Sequence, residues 1–258
     1  MKQRIITGVI LALIILPCVV IGSWPFRIVI ALLSAGGAYE LLHIAKDPEP
    51  KFYLYIVLMS YVLAQVFLSE ALNGSMTFIV GLLIILLTAA LFDESMKMER
   101  MAYYFTASVL VSIGIHLIYV LRLKYGLNYV IFLAVATLMA DTGAYFVGVK
   151  FGRHKLIERL SPKKTIEGSI GGIVVGGLCA LLISLILPID ISMGARAFSA
   201  FVLSTTGQIG DLTFSSFKRA FNIKDYSHIF PGHGGVLDRF DSIIFNAMVF
   251  GLLLYVFI

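Results

Sequence analysis

The chain has 258 residues, 59% of them hydrophobic and only 14% charged. A water-soluble domain carries about a quarter charged residues and about half apolar ones. Here the apolar excess is laid out as long runs rather than one core, which reads as a polytopic membrane protein. The formal net charge of +5 does not imply a nucleic-acid partner, because membrane proteins collect Lys and Arg through the topology rule.

Crossing the hydrocarbon takes about 20 apolar residues. Runs of that size lie at 5–22, 25–44, 52–70, 75–92, 102–120, 128–149, 168–188, 192–210 and 239–257. They predict an all-α protein with about nine transmembrane helices. The first run follows Lys2 and Arg4 as a signal peptide would. It has no small-x-small cleavage pattern, and Pro17 precedes Cys18, so it reads as a retained helix. Arg27 and Glu40 mark the second run and His116 the fifth, making these two the least regular. Apolar residues nowhere alternate with period two, so neither strands nor an outer-membrane barrel are expected. Cys18 and Cys179 sit in apolar runs and read as buried small hydrophobes, without disulfide or zinc-site spacing.

Charge asymmetry sets the expected orientation. With the N-terminus in the cytoplasm, all of the 20 Lys and Arg residues except Arg27, Arg122, Lys124 and Arg196 fall on the cytoplasmic side. Two long polar loops, 150–167 and 211–238, then share that face, and a cytoplasm-facing polar cavity is expected there. The organisation expected is one transmembrane domain over 1–258. Residues 1–127 would supply scaffold, dimer or lipid contacts, and 128–258 the catalytic helices with both polar loops.

Asp141 lies inside an apolar run, roughly 12 Å from the cytoplasmic end of its span at about 1.5 Å per residue. An ionised carboxylate there costs a few kcal/mol unless paired or wet. A polar cavity explains it; a lone Asp bonded to a neighbouring helix is the plainer alternative. Next along the chain, Ser161, Lys163, Lys164 and Thr165 precede Glu167 and a glycine-rich helix start at Gly168, Gly171 and Gly172. This makes an anion-binding candidate, though a solvated loop followed by a small-residue packing face serves equally. Asp211 closes the eighth run, and Asp238 and Asp241 open the ninth three residues apart. Carboxylates at helix ends suit Mg²⁺, which takes oxygen ligands together with substrate phosphates. They also suit the positive end of a helix dipole. Between them lie Ser215, Lys218, Arg219, Lys224 and Asp225, then Pro231, His233, Gly234 and Gly235, and finally Arg239. Cations interleaved with acids beside glycines, whose N–H groups can approach an anion, fit a phosphate-and-metal site. No Walker loop, Rossmann glycine pattern or HExxH zinc motif is present.

Ser215, Lys218-Arg219, Lys224-Asp225, Pro231, His233-Gly234-Gly235 and Asp238-Arg239-Phe240-Asp241 strongly resemble the signature of the integral-membrane phosphatidate cytidylyltransferases, the CDP-diacylglycerol synthases. The segments beginning at Asp141, Ser161 and Gly207 also look like that family. The resemblance covers the whole chain and is specific from about 141 to 241. It implies synthesis of CDP-diacylglycerol and pyrophosphate from CTP and phosphatidate, by an all-helical, dimeric, Mg²⁺-dependent enzyme of the cell (inner or plasma) membrane. It maps the metal-binding acids onto Asp211 and Asp238, with a monovalent cation such as K⁺ nearby. It maps further polar positions onto Lys163, Lys164, Glu167, Lys218, Arg219, Lys224, His233 and Asp241. Chemistry agrees: joining two polyanions needs charge neutralisation and in-line positioning more than covalent catalysis. A membrane enzyme using CTP on another lipid phosphate or on a polyprenol is the nearest rival. A transporter would place polar residues on both faces, and a scaffold would leave the clustered charges without a use.

Overall fold

The computed structural model describes residues 2–45, 49–68, 72–230, 232 and 234–258, with side chains from residue 7 onward and, in the fourth helix, from residue 76. Lys46, Pro231 and His233, and the side chains of Lys2 and Arg4, lie outside the described residues. Helices occupy all nine predicted runs: α1 Lys2–Ile21, α2 Ser23–Ile44, α3 Phe52–Leu68, α4 Leu72–Phe92, α5 Met98–Val120, α6 Leu127–Phe151, α7 Ile166–Ile186, α8 Met193–Ala220 and α9 Leu237–Phe257. A five-residue π-helical turn, Leu121–Tyr125, extends α5.

Among the described residues, five helices are long and apolar enough to cross a membrane: α2, α5 with its π turn, α6, α7 and α9. Residues 7–21, 52–68 and 76–92 form shorter apolar helices. The eighth helix departs most from expectation. It runs on to Ala220, so residues 211–220 are helix rather than loop, and Asp211 lies within the helix instead of at its end. An apolar-run criterion stops at the first charge. The backbone ladder does not, because Phe214, Ser215 and Lys218 keep one buried face going at helical spacing.

The expectation of no strands is also corrected. Between α6 and α7 lies a short antiparallel hairpin, β1 Lys155–Ile157 with β2 Ser161–Thr165, pairing Lys155 with Thr165 and Ile157 with Ser161. The segment is too polar for hydrocarbon and too short for a helix, so its backbone groups pair across a turn at Glu158 to Leu160. Leu160 N–H closes that turn on the Ile157 carbonyl at 3.2 Å.

The chain divides into two compact units. One comprises residues up to 120 together with 225–239; the other comprises 121–224 together with 240–258. In the first, α2 packs on α1, α3 and α5. Phe26, Ile30, Leu41, Leu54, Leu58, Tyr104 and Val111 are fully enclosed there. Lipid tails are as apolar as leucine, so close packing and polar ties hold such helices together. Arg27, the charge that made the second run irregular, stacks its guanidinium between Trp24, Phe67 and Tyr119, with ring centroids 5.4–5.6 Å away. It also donates to the carbonyls of Val66 at 3.1 Å and Phe67 at 3.3 Å. His116 is buried with neither ring nitrogen hydrogen-bonded among the described residues.

Asp93, after α4, is the main polar tie of this unit. Its carboxylate accepts hydrogen bonds from Lys51 Nζ (2.7 Å), Tyr53 Oη (2.8 Å), and Ser95 N (2.9 Å) and Oγ (2.7 Å). The bonds from Lys51 and Ser95 hold its pKa well below the usual carboxylate range. A depressed pKa stabilises the fold above the unfolded value and loses that contribution as pH falls through the folded one. Asp93→Asn should therefore cost about 2 kcal/mol near pH 7. The deficit relative to wild type should shrink below about pH 4, as thermal unfolding in detergent at several pH values would show.

In the second unit, glycines let α7 approach α6 and α8. A methyl on Gly172 would lie 2.6 Å from the Ala140 carbonyl, and one on Gly176 2.8 Å from that of Ala136 and 2.7 Å from Ser204 Oγ. The packing-face alternative for these glycines is thus correct for α7. The 240–257 part of α9 packs through Phe250 against Phe132, ring centroids 5.5 Å apart. Its Asn246 donates to Thr137 Oγ1 at 2.7 Å and to the Leu203 carbonyl at 2.8 Å.

Candidate active site

Within the second unit, α6, the hairpin, α7 and α8 enclose a cavity of about 560 Å³ lined by Asp141, Tyr145, Lys155, Lys163, Lys164, Thr165, Gly168, Ser169 and Gln208. Each wall has a local cause. Thr165 caps α7, its Oγ1 accepting from Gly168 N–H at 3.1 Å. Gly148 and Gly168 bring α6 and α7 together: a methyl on Gly168 would lie 3.0 Å from Gly148 Cα. Gln208 donates to the carbonyls of Ser169 and Ser204, both at 3.1 Å, fixing α8 to α7. Asp141, inside an apolar helix, lines this cavity and is exposed.

Lys164, from the end of β2, forms an ion pair with Asp211 of α8. Asp141 is within electrostatic reach of both. Asp241, in the 240–257 part of α9, is buried, accepts Ser242 N–H at 2.7 Å, and lies within electrostatic reach of Asp211, Asp141 and Lys218. Lys218 is itself buried. Three carboxylates from three helices thus share a neighbourhood with two ammonium groups. That local excess of negative charge suits a divalent cation. Among the described residues, no three acidic, His or Cys side chains converge closely enough to hold an ion alone.

Other predicted residues of this unit hold the frame. Glu167 accepts from Arg153 N–H at 3.0 Å and from His154 N–H, and pairs with His154 Nδ1 at 2.6 Å, tying down the hairpin's entry. Arg219 donates to the carbonyls of Leu160 (3.3 Å) and Ile223 (2.7 Å), bracing the hairpin turn and the end of its own helix. Ser161 opens β2, Ser215 is buried on α8, and Lys224 is exposed. Lys155 and Gln208 line the cavity without having been singled out from sequence. Nothing in their spacing marks them, since the hairpin alone brings Lys155 to the wall.

The first unit holds the rest of the signature. Asp225 and Arg239 are exposed. Asp238 Oδ2 accepts hydrogen bonds from Tyr226 N–H at 2.8 Å and Gly235 N–H at 2.9 Å. The Gly235 amide expected to face phosphate is therefore engaged with Asp238. Gly234 has φ +81°, and a side chain there would run into Asp238. Only glycine turns this corner without strain. The residue missed from sequence is Glu40 of α2, which lies fully buried against the same loop. Its signal was visible as a carboxylate inside an apolar run, which had counted only against the regularity of that run.

These features define a helical membrane protein in which acids and lysines from several helices and a hairpin gather at and beside one cavity. The chain matches the Cytidylyltransferase family model over residues 2–257 and belongs to that family. It is 33% identical to the phosphatidate cytidylyltransferase of Bacillus subtilis (strain 168) over 253 residues, covering 95% of this chain and 94% of that protein. It is 32% identical to the enzyme of the same name from Staphylococcus haemolyticus (strain JCSC1435) over 258 residues, covering 98% and 99%. Identity to that of Staphylococcus aureus (strain COL) is 32% over 265 residues.

Proposed function

We propose that this protein transfers the cytidylyl group of CTP to phosphatidate, forming CDP-diacylglycerol and releasing pyrophosphate. The observation that carries this reading is the family match from residue 2 to residue 257, together with near-full-length relatives named for that reaction. The cavity with its lysines and the carboxylates around Asp211 supplies the chemistry such a reaction needs. A phosphatidate oxygen attacks the α-phosphorus of CTP, and the bond from that phosphorus to the bridging oxygen of pyrophosphate breaks. The second pKa of a phosphomonoester is about 6, so the nucleophile is already ionised near neutrality and needs no general base. Lys163, Lys164 and Lys218 offset the charge of the two polyanions. Asp141, within electrostatic reach of Lys164, and Asp241, within reach of Lys218, shape the local field. Bound Mg²⁺ would neutralise phosphate charge, held by Asp211 and, as the resemblance assigns, by Asp238. The cavity takes the phosphatidate head while the acyl chains stay in lipid past the exposed Tyr145 and Val149.

The same reading places nine helices in the cell membrane, with the N-terminus and cavity on the cytoplasmic side, a homodimeric assembly and a K⁺ beside the Mg²⁺. Charge asymmetry supports the orientation. The test is turnover of radiolabelled CTP in detergent–phosphatidate micelles, with and without Mg²⁺. Mg²⁺-dependent label in a liponucleotide with release of pyrophosphate is expected. Release of CDP, or transfer only to another lipid acceptor, would refute the substrate assignment.

A further inference from the structure

Glu40 sits within α2, an otherwise largely apolar span, and is fully buried. No cation is paired with it among the described residues. Its Oε1 accepts hydrogen bonds from Ser227 Oγ at 2.6 Å and Val236 N–H at 2.8 Å, and its Oε2 from Leu237 N–H at 2.8 Å. The carboxylate presses so closely on Gly235 that no side chain could stand there. Leu237 is the first residue of α9, so the charge is held by backbone donors at the start of a helix, where the dipole favours an anion. The neighbouring donors, Tyr226 N–H and Gly235 N–H, belong to Asp238. Glu40 and Asp238 lie within electrostatic reach of each other. Two carboxylates thus divide the amides of residues 226, 235, 236 and 237 between them.

An ordinary helix start is capped by a local Ser, Thr, Asp or Asn. Here the cap is a carboxylate drawn from a helix nearly two hundred positions earlier in the chain and kept in an apolar span at a desolvation cost. Such an arrangement fixes where α9 begins and which way Asp238 is presented. We infer that Glu40 is a positioning residue for the 226–238 loop, and that residues before 120 set the geometry of the signature as well as supplying scaffold. The inference rests on the reading of Asp238 given under Proposed function.

The experiment compares wild type, Glu40→Gln, Ser227→Ala and the control Tyr103→Phe. The control removes a 2.9 Å hydrogen bond to the Leu41 carbonyl elsewhere on α2. Amide exchange of the peptide spanning 225–240, in detergent without substrate or metal, is the first readout. Glutamine presents an N–H₂ to one of the donors that Glu40 satisfies, so this peptide should exchange about tenfold faster while α2 peptides stay protected. The second readout is turnover. Glu40→Gln should lower kcat or raise the Mg²⁺ concentration for half-maximal rate by about 10- to 100-fold, leaving KM for phosphatidate within about twofold, since the lipid's apolar contacts are untouched. Ser227→Ala should move both readouts in the same direction by less, and Tyr103→Phe neither. Unchanged loop exchange and Mg²⁺ dependence in Glu40→Gln would overturn the inference, as would exchange rising equally throughout α2. Should Glu40→Gln not fold, wild-type values in Ser227→Ala would overturn it. Exchange needs no turnover, so a wild-type protein that makes no liponucleotide refutes the substrate reading separately.

Discussion

Asp211→Asn should reduce cytidylyl transfer by about 10³-fold, or about 4 kcal/mol of barrier at 1.36 kcal/mol per decade, while the protein stays folded and inserted. The pair that Asp211 makes with Lys164 leaves each side chain about a quarter exposed. Such pairs contribute about 1 kcal/mol or less to stability, so thermal unfolding should scarcely move. Two explanations for the loss separate cleanly. If Asp211 only holds Lys164 in place, Lys164→Met should cost about as much by itself and should add nothing to the loss in the Asp211→Asn background. If Asp211 instead gathers charge against the triphosphate, Lys164→Met should compound the loss in the Asp211→Asn background. A double-mutant cycle on kcat/KM reads the difference. A double variant no slower than Asp211→Asn, or a single variant within about threefold of wild type by the same arithmetic, would remove Asp211 from the chemistry.

The helices were legible because membrane insertion writes them as apolar runs, and every run became a helix. Their ends were less legible. Residues 211–220 look like loop by charge, yet Phe214, Ser215 and Lys218 continue a buried face and the helix with it. The hairpin at 155–165 was invisible because its pairing answers a local need for backbone partners, not an alternation of apolar residues. At the site, residue types singled out Asp141, Lys164, Asp211, Lys218 and Asp241 among a longer series, and the second unit places these five within electrostatic reach of one another. What spacing could not convey was the division of labour. Glu167 ties the Arg153 and His154 amides and the His154 ring together, and Arg219 holds the Leu160 and Ile223 carbonyls, contacts that residue types and spacing do not reveal. Glu40 stood out only as a carboxylate in an apolar run, since two of its three partners are backbone amides, which leave no trace in residue identity.

The charge pattern has a further consequence. Lys155, Lys163 and Lys164 reach one cavity only because the hairpin turns back on itself and Thr165 starts α7 at that point. The Lys164 ammonium pairs with Asp211 on α8 and lies within electrostatic reach of Asp141 on α6, and glycines too crowded for a methyl set the separation of these helices from α7. Helix spacing and charge placement are therefore one design. The cavity lies where small residues let α6, α7 and α8 pack closely.

Asp238→Asn should likewise cost about 10³-fold in turnover, and it tests charge apart from loop structure. The Asp238 oxygen that accepts Tyr226 N–H and Gly235 N–H has two lone pairs, and an asparagine carbonyl in its place can accept both. The amide variant thus keeps these two hydrogen bonds while removing the negative charge. Asp238→Ala removes both. If the charge serves the phosphate-and-metal chemistry, the two variants should be about equally inactive, while amide exchange of residues 225–240 stays near wild type in Asp238→Asn and rises in Asp238→Ala. If Asp238 only shapes the loop, Asp238→Asn should turn over within about threefold of wild type and only Asp238→Ala should fail. Measuring kcat and loop exchange on the same preparations decides between them, because one quantity follows the charge and the other follows the backbone amides that this carboxylate holds.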